Sequence, residues 1–253
     1  MITELEVAKK AAQEAGEILR EHFQKSNAVT LKVDKSFQTK VDKLAESRII
    51  STIKDSFPDH SINAEESGLS SASSKYLWLI DPLDGTTNYA THVPFFSVSI
   101  ALVENGNLKL GVVYDPNNKE LFHAKLGNGS WLNDSPIKVS ETNKLNEFKL
   151  GYSRSGRAKE MFADIFAKAE KLTRTPKILG STALQLCYVA SGRLDADISF
   201  SQEPWDIAAG VLMIQEAGGI VTDFSGSPWS INSKDVVVSN DKIHEELLKI
   251  LKN

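Results

Sequence analysis

The chain has 253 residues, 41% hydrophobic and 25% charged, which excludes wholesale disorder and a collagen-like fibre. Its 29 Lys and Arg against 33 Asp and Glu leave a net charge of −4, which argues against a nucleic-acid scaffold. The same sign should repel a phosphate ester, unless bound cations reverse it locally.

Residues 4–24 place Leu5, Ala8, Ala12, Ala15, Leu19 and Phe23 at helical spacing, and Thr3 with Glu6 forms a capping-box pattern ahead of them. A second helix is expected from about Asp42 to Phe57, stopped by Pro58. SINAEES reads as a short strand, GLSSASSK as a Ser-rich loop, and YLWLID as a buried strand ending in a carboxylate. Two β-rich runs around Asn105-Gly106 predict a hairpin, and KELFHAKLGNGSWLN predicts another pair of strands turning at Gly127-Asn128-Gly129.

Beyond about residue 145 the rhythm changes. Helical patterns at 157–172, 181–192 and 205–217 alternate with strands KLGYS, KILG, DADISF, IVTDF and DVVVSN, and DKIHEELLKILKN closes as a helix. The chain therefore reads as α/β with an α+β-like first half. It is expected to be a single catalytic unit over 1–253, with subdomains of roughly 1–145 and 146–253. The single cysteine, Cys187, sits at an apolar helical position and is expected in the core. No apolar signal-peptide core and no run of roughly 20 apolar residues is visible, so a cytoplasmic protein without membrane attachment is expected.

The most informative stretch is Asp81-Pro82-Leu83-Asp84-Gly85-Thr86-Thr87-Asn88, directly after the strand 76–80. Strand C-terminal ends are where open α/β sheets place ligand sites. Asp81 and Asp84, stiffened by Pro82, can aim at one point, and Gly85 lets the Thr86 and Thr87 amides face an anion. All-oxygen ligands beside amide donors suit Mg²⁺ or Mn²⁺ with a phosphate. The same residues also make an ordinary Asp-Gly turn. Glu65-Glu66, taken alone, reads as solvated surface, and Asp206 and Asp42 read as helix caps.

Together, Glu65-Glu66-Ser67, then Trp78-Leu79-Ile80-Asp81-Pro82-Leu83-Asp84-Gly85-Thr86-Thr87-Asn88-Tyr89, then Trp205-Asp206-Ile207-Ala208-Ala209-Gly210 resemble the inositol monophosphatase family. Thr39-Lys40-Val41-Asp42 and Gly180-Ser181-Thr182-Ala183 through Cys187 extend the resemblance over most of the chain. It implies a layered αβαβα sandwich, a homodimer, and a Mg²⁺-dependent, lithium-sensitive phosphomonoesterase for a small sugar, polyol or nucleotide phosphate. Glu65, Asp81 and the Leu83 carbonyl would hold one Mg²⁺. Asp81, Asp84 and Asp206 would hold a second, with Glu65 serving a third, and Mn²⁺ could substitute. Thr86, oriented by Asp42, would position the attacking water, and Glu65 would join them in catalysis. The substrate side would comprise Asp84, Gly85, Thr86, Gly180, Ser181, Thr182, Ser199 and Asp206.

Two departures from the family pattern stand out. Family members acting on inositol phosphates usually carry a Glu where this chain has Ser199; a hydroxyl cannot accept two ring hydroxyls as a carboxylate does. Ser36-Phe37-Gln38-Thr39 replaces the common Asp-x-Val-Thr, and the family Lys upstream corresponds to Lys32 or Lys35.

The five histidines, His22, His60, His92, His123 and His244, are dispersed; His92 reads as structural and His244 as part of a solvated helix face. An aspartyl-phosphate phosphatase is the enzyme alternative, but it reads D-x-D-G-T, one residue shorter than this chain. Within the same superfamily, a 2′-phosphatase of NADP, a fructose-1,6-bisphosphatase and a 3′-phosphoadenosine phosphatase stay open. Outside it, a non-catalytic binder of metal and phosphometabolites would need the same ligands but could lose the Asp42–Thr86 pair, which this chain retains.

Overall fold

The computed structural model describes residues 2–25, 29–31, 37–70, 74–154, 159–170, 173 and 175–252; Lys32 and Lys35 lie outside them. The elements in chain order begin with α1 (Glu4–His22), β1 (Val29–Leu31), β2 (Phe37–Thr39), α2 (Lys40–Ser56), β3 (Ser61–Ala64), β4 (Gly68–Leu69), β5 (Tyr76–Asp84) and α3 (Thr86–Ala90). Then come β6 (Ser97–Glu104), β7 (Asn107–Asp115), β8 (Glu120–Lys125), β9 (Ser130–Leu132) and β10 (Ser135–Ile137). The rest is β11 (Lys149–Arg154), α4 (Lys159–Glu170), β12 (Thr175–Lys177), α5 (Thr182–Ala190), β13 (Ala196–Phe200), α6 (Pro204–Glu216), β14 (Ile220–Thr222), β15 (Val236–Ser239) and α7 (His244–Lys252).

Alternation along the strands builds the layers. In the first sheet, ordered β10-β9-β8-β7-β6-β5-β3-β4, Trp78, Ile80, Val98, Ile100, Leu110 and Val112 pack against α1 and α2. Leu79, Ala101, Val103, Val113 and Phe122 face the other way, onto α5 and α6. Those two helices also cover one face of the second sheet, ordered β12-β11-β13-β15-β14, through Val236 and Val238. Leu150, Tyr152, Ile198, Phe200 and Val237 point outward from that sheet, onto Ile165 of α4 and Leu247 of α7. The result is the expected αβαβα order. Helices α5 and α6 read as nearly unbroken apolar runs because both of their sides are covered.

Local chemistry explains most boundaries. The Thr3–Glu6 capping box starts α1, with Thr3 N donating to Glu6 Oε2 at 2.8 Å. Asn105 and Gly106, at φ 51° and 82°, close the β6–β7 hairpin. KILG is not a strand: β12 ends at Lys177, and the Leu179 N–H donates to the Gln185 side chain instead of a sheet partner. The short helix α3 is absent from the sequence reading, since five residues show no periodicity. The expectation of a solvated His244 is corrected. It is 4% exposed, with Thr222 Oγ1 at 2.9 Å from Nε2 and Ser239 Oγ at 2.8 Å from Nδ1. Cys187 is buried as expected, and His92 is exposed, edge-on to Phe23. Among the described residues, no helix is long and apolar enough to cross a membrane.

Candidate active site

Strand β5 runs parallel to β3 and antiparallel to β6, which brings its C-terminal end beside Glu65. Glu65 N donates to the Ile80 carbonyl at 3.0 Å, next to Asp81. The neighbouring Glu66 N donates to Glu46 of α2 at 2.8 Å, tying this turn to the helix that carries Asp42 in its first turn. The β5–β6 register shifts between Asp81 and Asp84, a bulge that accommodates Pro82. Leu83 N donates to Asp81 Oδ1 at 2.9 Å within it. Gly85 then turns the chain at φ +93°, where a Cβ would crowd the Phe95 and Gly180 carbonyls at 3.1 and 3.2 Å. Helix α3 follows, held to α1 by the Tyr89 hydroxyl donating to the Leu19 carbonyl at 2.8 Å.

Two longer helices bring their N-termini to the same place. At α5, Ser181 Oγ (2.5 Å) and the N–H of Ala183 (2.8 Å) donate to Asp84 Oδ2, and the N–H of Thr182 (3.1 Å) donates to Oδ1. At α6, Asp206 accepts the Glu203 N–H at 2.8 Å, so its capping role is real. Ser99 Oγ donates to the Trp205 carbonyl at 3.0 Å and fixes that helix start to β6.

The electrostatics are those of anions pressed together. Asp81 is 2% exposed; burial holds its pKa well above the usual carboxylate range, and the charges of Glu65, Asp84 and Asp206 push it further. Burial pushes Asp84 up to about 6, against the lowering effect of its Ser181, Ala183 and Thr182 donors. Asp206 is raised well above its ordinary value by burial, with Asp84 and Glu65 adding to it and the Glu203 N–H opposing. Among the described residues, no Lys or Arg is ion-paired to Asp81, Asp84 or Asp206.

This donor set fits a hard divalent cation: carboxylates and one backbone carbonyl, all oxygen, destabilised by their own charges. Among the described residues, no three acidic, His or Cys side chains close on one point as a ready-made cage. Asp84 spends both oxygens on α5, and Asp206 spends one on its cap.

The remaining expected residues divide. Thr86 Oγ1 donates to the Leu83 carbonyl at 3.0 Å, while Asp42 is 1% exposed within α2. Gly180 precedes α5, Ser181 is its N-cap and Thr182 its first residue. Ser199 differs from its expected place: it is fully buried, and its hydroxyl donates to Asp197 Oδ1 at 2.5 Å. Sequence reasoning missed Asn88, whose Nδ2 donates to the Phe95 (2.8 Å) and Leu179 (2.7 Å) carbonyls across the two halves of the site. It also missed Gln202, 4% exposed and accepting from Thr182 Oγ1 at 3.3 Å. Asn88 lies inside the motif and was visible there; Gln202 carries no local signal.

Layered α/β architecture with acids and helix N-termini gathered at one strand end defines the class, and the solved structures agree. An inositol monophosphatase from Thermotoga maritima superposes with a TM-score of 0.92 at 38% identity, covering 99% of this chain and 97% of that one. The chain belongs to the inositol monophosphatase family, whose model matches residues 2–253. A Thermotoga maritima protein named "Fructose-1,6-bisphosphatase/inositol-1-monophosphatase" is 39% identical over 248 residues, 98% of this chain and 95% of that protein. A Pasteurella multocida protein named "Nus factor SuhB" is 39% identical over 250 residues, 96% and 94% of the two chains. The family is generally metal-dependent.

Proposed function

We propose that the chain is a Mg²⁺-dependent phosphomonoesterase that hydrolyses a small sugar, polyol or nucleotide phosphate by in-line attack of water, without a phosphoenzyme. The observation that carries this reading is the cluster of Asp81, Asp84 and Asp206, each held above its ordinary pKa by burial, with neighbouring carboxylates adding to it. Glu65, Asp81 and the Leu83 carbonyl would hold one Mg²⁺; Asp81, Asp84 and Asp206 a second; Glu65 would serve a third. Bound Mg²⁺ supplies neutralisation of the phosphate charge and an acidified water.

The protein's own groups do the rest. The Gly85 and Thr86 amides, at the start of α3, donate to phosphate oxygens. The Thr86 hydroxyl donates to the Leu83 carbonyl, which leaves its lone pairs to accept from and orient the attacking water. In this reading Glu65 would accept a proton from that water, and Asp42, buried in the first turn of α2, would orient Thr86 whenever its hydroxyl leaves the Leu83 carbonyl. A homodimer and a cytoplasmic location complete the same reading.

The substrate reading follows from Ser199. Turned inward onto Asp197, it offers no carboxylate to ring hydroxyls. Phosphate release from inositol 1-phosphate is therefore expected to be less efficient than from at least one of fructose 1,6-bisphosphate, the 2′-phosphate of NADP, and 3′-phosphoadenosine phosphate. The Thermotoga relative's name includes the first of these activities. A kcat/KM panel with Mg²⁺, with and without Li⁺, tests it: a clear win for inositol 1-phosphate refutes the substrate reading. A burst of covalently phosphorylated protein refutes the mechanism.

A second reading has one observation in its favour, the relative named Nus factor SuhB, which points to a protein partner. The absence of steady-state phosphate release across the panel would leave this reading in place of the first.

A further inference from the structure

We infer that Gln185 and Asp197 are positioning residues that hold the segment 179–183 against Asp84. The inference rests on the reading of Asp84 as a metal ligand.

Helix α5 buries Ala183, Leu184, Leu186, Cys187, Val189 and Ala190; Gln185 is the polar exception among its buried residues, and it is fully buried. Opposite it, Asp197 is fully buried on β13, where Gly151 leaves the space its carboxylate fills. Burying an amide and a carboxylate together is a poor way to stabilise a core, because apolar residues of similar volume do as well or better. The pair therefore calls for another explanation.

Its hydrogen bonds supply one. The two Gln185 Nε2 protons go to Asp197 Oδ2 (2.7 Å) and Ser153 Oγ (2.8 Å), with the Tyr152 carbonyl (3.2 Å) sharing one of them. A reversed amide would set its oxygen against a carboxylate and a carbonyl, neither of which can donate. Asp197 thus fixes which way the amide faces. The correctly turned Oε1 accepts the Leu179 N–H at 2.5 Å. On the other side of the same peptide segment, Asn88 Nδ2 holds the Leu179 carbonyl at 2.7 Å. Caught from behind by Gln185 and in front by Asn88, the segment delivers Ser181 Oγ and the Thr182 and Ala183 amides onto Asp84. Ser199, at 2.5 Å from Asp197 Oδ1, completes the support by occupying the other carboxylate oxygen.

The test uses the full chain and three variants. Asp197→Asn puts an amide group where two donors now point, so one donor loses its acceptor. Gln185→Asn keeps the amide but is one methylene too short to reach both Asp197 and Leu179. Leu247→Ala, in α7 on the outer face of the second sheet, weakens folding without touching the network. Mn²⁺ binding is read from the free-ion EPR signal, and amide hydrogen exchange is read over residues 179–184 in metal-free protein. Asp197→Asn and Gln185→Asn are expected to weaken Mn²⁺ binding about 10-fold or more and to speed exchange in that segment. Leu247→Ala is expected to lower the Tm and leave both readouts as in the wild type. Wild-type Mn²⁺ affinity and exchange in either folded network variant overturns the inference, as does an equal loss of Mn²⁺ affinity in Leu247→Ala. A wild-type chain that binds no Mn²⁺ overturns the metal-ligand reading of Asp84 itself, which separates that failure from the first.

Discussion

The two ends of β5 hold carboxylates in opposite circumstances. At the Tyr76 end, Glu104 receives Lys75 at 2.9 Å and Lys109 at 3.1 Å, and Lys109 also pairs with Glu4 at 2.9 Å. Both ammonium groups lie over the Tyr76 ring, at 4.6 and 4.8 Å. Hydrogen bonds from Lys75 and then Lys109 bring the Glu104 pKa down to about 2. At the Asp84 end the carboxylates are buried, and burial and like charge drive their pKa values up. The first cluster supplies its own cations in water, where ion pairs contribute little. The second stores repulsion in a desolvated place, and among the described residues no Lys or Arg is paired with Asp81, Asp84 or Asp206 to relieve it.

The sharpest way to break this contrast is Asp81→Asn. Turnover at saturating Mg²⁺ is expected to fall on the order of 10³-fold, because a shared ligand is lost. The metal-free protein should melt at a higher temperature than wild type, because a repelling charge is gone. A near-wild-type rate contradicts the site, and a lowered metal-free Tm contradicts the stored repulsion. Thr86→Ala should follow, with kcat reduced about 10²-fold and KM nearly unchanged, measured by steady-state phosphate release.

Mg²⁺ itself is expected to raise the Tm by about 5–10 °C at 100 times its Kd. The pH dependence has a definite sign. Asp84 titrates near 4 when unfolded and about 6 when folded, so its favourable contribution is present below about 4 and is lost as pH climbs through about 6. The Mg²⁺-induced rise should therefore be largest above pH 7 and shrink toward pH 5. His244 runs the other way. Burial lowers it from about 6.5 to about 4, so its stabilisation is present above about 6.5 and is lost as pH falls through about 4. Because His244 sits between α7 and β14–β15, it shifts the metal-free and Mg²⁺-loaded curves together and cancels in their difference. A pH-independent difference would undo the contrast. Glu104→Gln should have the smallest effect: a Tm change of no more than about 2 °C, diminishing with added salt, and unaltered kcat.

Much of this was legible in the chain itself. Asn105-Gly106 announces a hairpin because few residues other than Gly and Asn take positive φ cheaply, and Thr3 with Glu6 announces a helix start for an equally local reason. The acids at positions 65, 81, 84 and 206 stood out only as a set, since each alone has an ordinary explanation. What stayed hidden depends on partners distant in the chain. His244 looks solvated in its own helix, yet it is buried by hydroxyls from β14 and β15. Leu179 looks like strand until a glutamine side chain takes its amide hydrogen. Ser199 reads as a shortened substrate contact, and only its neighbour two residues back shows why it turns inward.

Helices α5 and α6 have a sheet on either side. A cut between residues 145 and 146 separates the two sheets, yet it passes through the middle of a hydrophobic core that neither piece can close alone. A fragment ending at 145 would carry Leu79, Ala101, Val103, Val113 and Phe122 as an uncovered apolar face. Its complement would hold two helices with one side stripped. The halves of this molecule are therefore a cooperative pair in the thermodynamic sense: a single melting transition is expected for the whole chain, and aggregation for either part expressed by itself.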